Sequence, residues 1–190
     1  MLWTRSLWMT LSVAAVLSQG LAARALAAPP AASGPTRTAL FQMYCYWTGE
    51  ATLGRVPGVV RTRIGELSGE VVEVEYDPAR TDLGQLAGAL RQQGGFSAVV
   101  VQGPLAKTEA LRFLPATEIR ETDRRPRFLE SKYNLRTSHA DLYALGLSES
   151  QAIALNSWSY FGGPMPDVLT AEQKQKLAEI RQRSRESANP

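Results

Sequence analysis

A single cysteine, Cys45, and a single histidine, His139, are the chain's whole supply of the side chains that most often bind transition metals. One cysteine cannot close a disulfide within the chain, so Cys45 is either an inert buried thiol or a reactive one. One cysteine and one distant histidine are too few ligands for a zinc site. Excess charge of one sign is also scarce. The 21 Lys and Arg face 18 Asp and Glu, a balance that implies no nucleic-acid or other polyanionic partner. The one dense basic run, Arg124-Arg125-Pro126-Arg127, follows Glu118, Glu121 and Asp123 and reads as a solvated charged stretch. Long hydrophobic runs are missing too. The stretch from Leu7 to Leu17 is interrupted by Thr10 and Ser12, is followed by Ser18, and falls short of the roughly 20 apolar residues that cross a bilayer.

That same stretch follows Arg5 and leads to Ala25-Leu26-Ala27, a pattern of small residues suited to cleavage. Residues 1–27 are therefore expected to be a signal peptide, cut near Ala27, that exports the protein to the periplasm or the exterior. Cleavage removes Arg5 and Arg24 and leaves 19 basic side chains against 18 acidic ones. Residues 28–37, rich in Pro, Ala, Ser and Gly, have too little apolar surface to order themselves and are expected to be a flexible leader. A core over 38–104 and a helical C-terminal extension over 105–190, packed on that core, complete the expected organisation.

Within 38–104 the pattern alternates between strand and helix signals. Ala39 to Tyr44 is apolar and aromatic and reads as a strand. A helix is expected from Tyr46 to Arg55, stopped by Pro57-Gly58. Val59 to Ile64 and Glu70 to Tyr76 alternate with a period of two around Gly65 to Gly69, a hairpin signal. In the second of these strands Glu70, Val72, Val74 and Tyr76 share one face, and Val71, Glu73 and Glu75 the other. Leu83, Leu86, Ala87 and Leu90 recur at helical spacing up to Gly94-Gly95, and Phe96 to Val101 reads as a strand. The order strand, helix, strand, strand, helix, strand predicts an α+β fold, a ferredoxin-like βαββαβ sandwich with both helices on one face of an antiparallel sheet. In the extension, helices are expected near 106–113, 127–133, 138–145, 150–158 and 171–183. Leu147-Ser148-Glu149-Ser150-Gln151 and Leu169-Thr170-Ala171-Glu172-Gln173 each carry an apolar staple, a hydroxyl N-cap and an early acid.

Cys45 stands where a strand becomes a helix, beside the unpaired N–H groups and positive dipole end of the first turn, a position that favours a thiolate. Aromatic residues Tyr44, Tyr46 and Trp47 surround it, as ordinary core or as pocket walls. The string Tyr44-Cys45-Tyr46-Trp47-Thr48-Gly49-Glu50 is followed by Pro57-Gly58-Val59-Val60 and by Glu70-Val71-Val72-Glu73-Val74-Glu75-Tyr76-Asp77-Pro78. Over about residues 39–92 this resembles the A-type peptide methionine sulfoxide reductases, the peptide-methionine (S)-S-oxide reductases. Their marks are a Gly-Cys-Phe-Trp-Gly-x-Glu helix start, a Pro-Gly-Val turn and a Glu-Val-Val-x-Val-x-Tyr-Asp-Pro strand. The resemblance implies a divergent one-cysteine member, with Cys45 as nucleophile, Glu70 as catalytic acid, and Tyr46 and Trp47 as walls for the substrate's S-methyl group. Tyr44, Glu50 and Tyr133 are further possible site residues.

It also implies the partners: oxidised protein methionine, and an external thiol, thioredoxin-like or small, to reduce the Cys45 sulfenic acid. No cofactor and no metal are expected. Two features of the family are not matched. Only Glu66-Leu67-Ser68 stands where the family carries a long loop with glycine and tyrosine, and its Gly-Thr-Gln-Tyr-Arg-Ser stretch has no counterpart after Val101. Tyr133 and Tyr160 are candidates for the missing tyrosines. The alternatives are a degenerate relative that keeps the fold as a binding or scaffold module, and a domain like the heavy-metal-associated ones. The latter bind soft metals through Cys-x-x-Cys, whose second position here is Thr48.

Overall fold

A computed structural model describes residues 34–188. The expected signal peptide, and the leader up to residue 33, lie outside the described residues. Strand β1 (Arg37–Met43) leads into helix α1 (Tyr46–Leu53), then β2 (Val59–Glu66), β3 (Glu70–Tyr76), α2 (Leu83–Gln93) and β4 (Phe96–Val101). Within the sheet these strands lie in the order β4-β1-β3-β2, all antiparallel. Alternation sets the faces: Ala39, Phe41 and Met43 of β1 join Val72, Val74 and Tyr76 of β3 in one core with Leu53 of α1 and Leu86, Ala87 and Leu90 of α2. The fold is α+β, with a helical C-terminal part.

Local chemistry fixes the joints. Asp82 caps α2 in a box with Gln85, each side chain accepting from the other residue's backbone N–H. At the turn before β2, Gly58 has φ +97°, and a Cβ there would sit 2.9 Å from that of Arg80, so Pro57-Gly58 is a turn only glycine completes.

The remainder of the chain differs from an all-helical extension. Helix α3 (Gly103–Ala110) and a 3-10 turn at Ala116–Glu118 bring the chain back as β5 (Ile119–Glu121), parallel to β4. Residues 127–133, expected as a helix, instead begin with β6 (Arg127–Phe128) beside β2. Pairing with Gly65 and Glu66 satisfies this backbone, the Arg63 guanidinium stacks 3.8 Å from the Phe128 ring centroid, and Lys132 at φ +61° interrupts any helix before Tyr133. Since β5 and β6 are the two outermost strands, residues 122–126 form a strap across the face opposite the helices. Beneath it lies a small cluster of Leu67, Val71 and Val100, with Leu40 packed against it.

Helices α4 (Tyr133–Ser138), α5 (Ala140–Tyr143), α6 (Glu149–Phe161) and α7 (Ala171–Ala188) follow. They hold a second cluster of their own, built on Leu135, Leu142, Leu155, Leu169 and Leu177. Helix α6 also enters the first core through Ile153, and its Ser157 hydroxyl donates to the Ala51 carbonyl at 2.8 Å. The approach is close enough that a Cβ at Gly54 would meet Ser157 Oγ at 2.3 Å and Ile153 Cγ2 at 2.8 Å. Both N-cap signatures form boxes: Ser148 with Gln151, and Thr170 with Gln173. The two glutamines then bond to each other, Gln151 Nε2 to Gln173 Oε1 at 2.7 Å, joining α6 to α7. No helix among the described residues is long and apolar enough to cross a membrane.

Polar groups at the seam between core and extension are almost fully buried. Glu50, 1% exposed, accepts from the Lys132 N–H at 2.8 Å, the Lys132 ammonium and the Thr62 hydroxyl at 3.2 Å, and Asn156 Nδ2 at 3.5 Å. The Lys132 ammonium is 2.8 Å from the Thr62 carbonyl and 2.9 Å from Glu149, so the two buried charges, Glu50 and Lys132, are each met by several partners. Truncating one member of such a network strands the other's charge, at a cost of about 3–5 kcal/mol. Glu50→Ala is accordingly expected to lower the unfolding free energy by about that amount in urea titrations; a loss under about 1 kcal/mol would show the seam does not need the carboxylate.

A second, exposed link gives a pH signature. Desolvation raises the Asp141 pKa, but its hydrogen bonds from Arg181 and the Leu142 backbone outweigh this and hold the carboxyl below its ordinary value. A depressed carboxyl contributes stability that is present above the unfolded value, near pH 4, and is lost as pH falls through the folded one. Arg181→Gln should therefore cost at most about 1 kcal/mol at neutral pH. In paired denaturation curves, that difference should vanish once the pH drops below the depressed value.

Candidate functional site

The register shifts between Gln42 and Met43, where β1 pairs with β4, and the chain leaves the sheet there. Tyr44 turns outward, 87% exposed, while its N–H donates to the Gly95 carbonyl at 2.7 Å. Cys45 follows as the N-cap of α1 with extended backbone, φ −136° and ψ 113°, and its carbonyl accepts the first helical bond from Gly49. Its thiol makes no capping hydrogen bond and is partly exposed.

Glu70 begins β3 directly opposite Met43, two residues before Cys45. Its side chain lies on the helix-facing side of the sheet, and Oε2 accepts the Tyr46 N–H at 2.6 Å. Tyr46 is the first residue of α1, so its N–H is one of the donors a helix leaves without an internal partner. The carboxyl of Glu70 thus occupies the positive end of α1 next to Cys45. One oxygen is anchored, and Oε1 has no hydrogen-bond partner among the described residues.

Aromatic groups extend from this point in two directions. Tyr46 and Trp47 meet edge to face, with ring centroids 5.6 Å apart. Trp47 is in turn stacked on Tyr133 at 4.0 Å and 10°. Burial pushes the Tyr46 hydroxyl above its ordinary pKa, and the neighbouring Glu70, Glu66 and Cys45 add to this against the opposing pull of Arg127. The phenol therefore stays protonated at neutral pH and available as a donor. One turn along α1, the hydroxyls of Thr48 and Tyr160 share a hydrogen bond of 2.9 Å.

The structure therefore groups Cys45, Tyr46, Trp47, Glu70 and Tyr133. Tyr44 points away from the group, and Glu50 is sealed in the seam with its oxygens taken up by Lys132, Thr62 and Asn156. Sequence reasoning missed Lys132, whose fixed backbone presents Tyr133 to Trp47; a lysine before a helical stretch carries no signal of burial. Among the described residues, no group of three or more His, Cys, Asp and Glu is arranged to hold a metal ion. Chemically, the group offers a thiol at a helix N-terminus, a positioned carboxyl beside it, and an aromatic wall suited to a small apolar substituent.

No family model matches the chain. Over 62 residues the chain is 39% identical to peptide methionine sulfoxide reductase A5 of Oryza sativa subsp. japonica, a match that takes in 25% of this chain and 24% of that protein. The chain thus spans about a quarter of the length of the curated relative it matches, and its partial similarity is to a reductase.

Proposed function

We propose that the protein reduces methionine-S-sulfoxide in oxidised proteins, with Cys45 as nucleophile and Glu70 as acid. The observation that supports this reading most is the bond from the Tyr46 N–H to Glu70 Oε2, which holds a carboxyl against the helix turn that Cys45 caps. A sulfoxide held beside that turn meets both groups, its sulfur toward Cys45 and its oxygen toward the unbonded Oε1. Trp47, backed by Tyr133, and Tyr46 form the apolar wall for the S-methyl group.

The Cys45 sulfur attacks the sulfoxide sulfur while Glu70 supplies a proton to the oxygen. The oxygen leaves the substrate and ends on Cys45, giving methionine and a cysteine sulfenic acid: the substrate gains two electrons and the thiol loses two. With no second cysteine in the chain, an external thiol condenses with the sulfenic acid, releasing water and forming a mixed disulfide. A second thiol equivalent then frees Cys45 and leaves as a disulfide. With residues 1–27 read as a signal peptide, this cycle runs outside the cytoplasm.

The test is turnover of a methionine-S-sulfoxide peptide in excess dithiothreitol. Wild type is expected to turn over, Cys45→Ser to be inactive, and Glu70→Gln to be slower by roughly 10²–10⁴ with its circular dichroism unchanged. A wild-type chain with no turnover would remove the reductase reading and leave a non-catalytic module. Equal rates for wild type and Glu70→Gln would take the acid's role away from Glu70.

A further inference from the structure

The basic run that reads as a solvated stretch in the sequence is placed by the fold beside Glu70. The β2–β3 turn and the strap enclose a cleft of about 540 Å³, walled by Leu67, Ser68, Glu70, Arg124, Arg125 and Arg127, among others. Glu70, whose carboxyl meets the Tyr46 N–H at the start of α1, is thus also a wall residue of this cleft. The charges of Glu66 and Arg127 in its wall act on the Tyr46 hydroxyl, as do those of Glu70 and Cys45.

The charges in the cleft do not cancel. Arg127 is paired with Glu66, the other acid in the cleft wall, and Glu70 is engaged by the Tyr46 N–H. Arg124 bonds only neutral groups: its guanidinium donates to the Ser68 hydroxyl at 3.0 Å, and its carbonyl accepts from Gln102 Nε2 at 2.7 Å. Arg125, exposed, has no hydrogen bond or ion pair among the described residues. Asp123, the acid nearest in sequence, does not line the cleft. The wall thus carries three guanidiniums against two carboxylates, and the two outside the Arg127–Glu66 pair have fork-shaped donors that match a carboxylate in pairs.

We infer that this cleft receives the stretch of substrate chain flanking the oxidised methionine, and that the stretch it selects is acidic, held by Arg124 and Arg125. The inference rests on the reductase reading. It adds a substrate class to it: oxidised methionines with aspartate or glutamate neighbours.

Three peptides that differ only in the residues flanking one methionine-S-sulfoxide, as Asp, Ser or Lys, separate the possibilities when kcat/KM is measured for each in excess dithiothreitol. The acidic peptide is expected to be preferred over the neutral one, and the neutral over the basic, by roughly two- to fivefold per ion pair. The preference should shrink in about 0.5 M salt, where exposed charges are screened. In the double variant Arg124→Glu, Arg125→Glu the order should invert. The readout is a ratio within one protein, so loss of folded material cannot imitate it. Equal kcat/KM for the three peptides, or an unchanged order in the double variant, overturns this inference and leaves the reductase reading standing. No turnover of any peptide by wild type overturns that reading, and the inference with it.

Discussion

A buried carboxylate, Glu50, holds the two halves of this protein in one arrangement. Burying a charge is costly unless its hydrogen bonds are replaced, and Glu50 replaces them from β2, from α6 and from both the backbone and side chain of Lys132. Such a network is satisfied in one geometry only, because sliding α6 or lifting Lys132 leaves a charge or donor without water and without a partner. Apolar burial, with Ile153 of α6 in the same core cluster as Leu53 of α1, adds attraction between the halves. The carboxylate adds uniqueness.

That uniqueness reaches the candidate site. Tyr133 follows Lys132 directly, so the bond from the Lys132 N–H to Glu50 fixes the backbone from which Tyr133 stacks on Trp47. The core supplies the thiol and the carboxyl, and the extension supplies the outer part of the aromatic wall. A four-stranded sandwich alone would leave Trp47 with one face unsupported. The extension therefore acts on the site through packing, although none of its residues borders Cys45 in sequence.

What the sequence could express depended on how local the cause was. Period-two alternation in Glu70 to Tyr76 puts Glu70 on the apolar face, and the breaker at Gly94-Gly95 closes α2, while α1 ends at Leu53 with Gly54 as its cap, ahead of the expected stop at Pro57-Gly58. The N-cap signatures at Ser148 and Thr170 were equally legible, since a capping box needs only four residues. Long-range pairings were not. Nothing in Arg127-Phe128 announces a strand, because two residues become one only by lying beside Gly65 and Glu66. Glu50 read as a possible site residue through its place after Cys45 and Trp47; only the fold shows it turned toward Lys132, 82 positions later.

The strap from β5 to β6 has a consequence for how copies of this chain meet one another. A βαββαβ sandwich left bare would end its sheet on β4 and β2, each with a row of open backbone donors and acceptors ready to template a neighbour's strand. Here one crossing segment covers part of each row, pairing with three residues of β4 and two of β2. Those caps are too short to serve as templates themselves, and the arginines and proline between them discourage extension. The same few residues that roof one face of the sheet thus shorten its free margins, and intermolecular strand pairing, the usual route from an open sheet to aggregation, is left less edge to start from on either side.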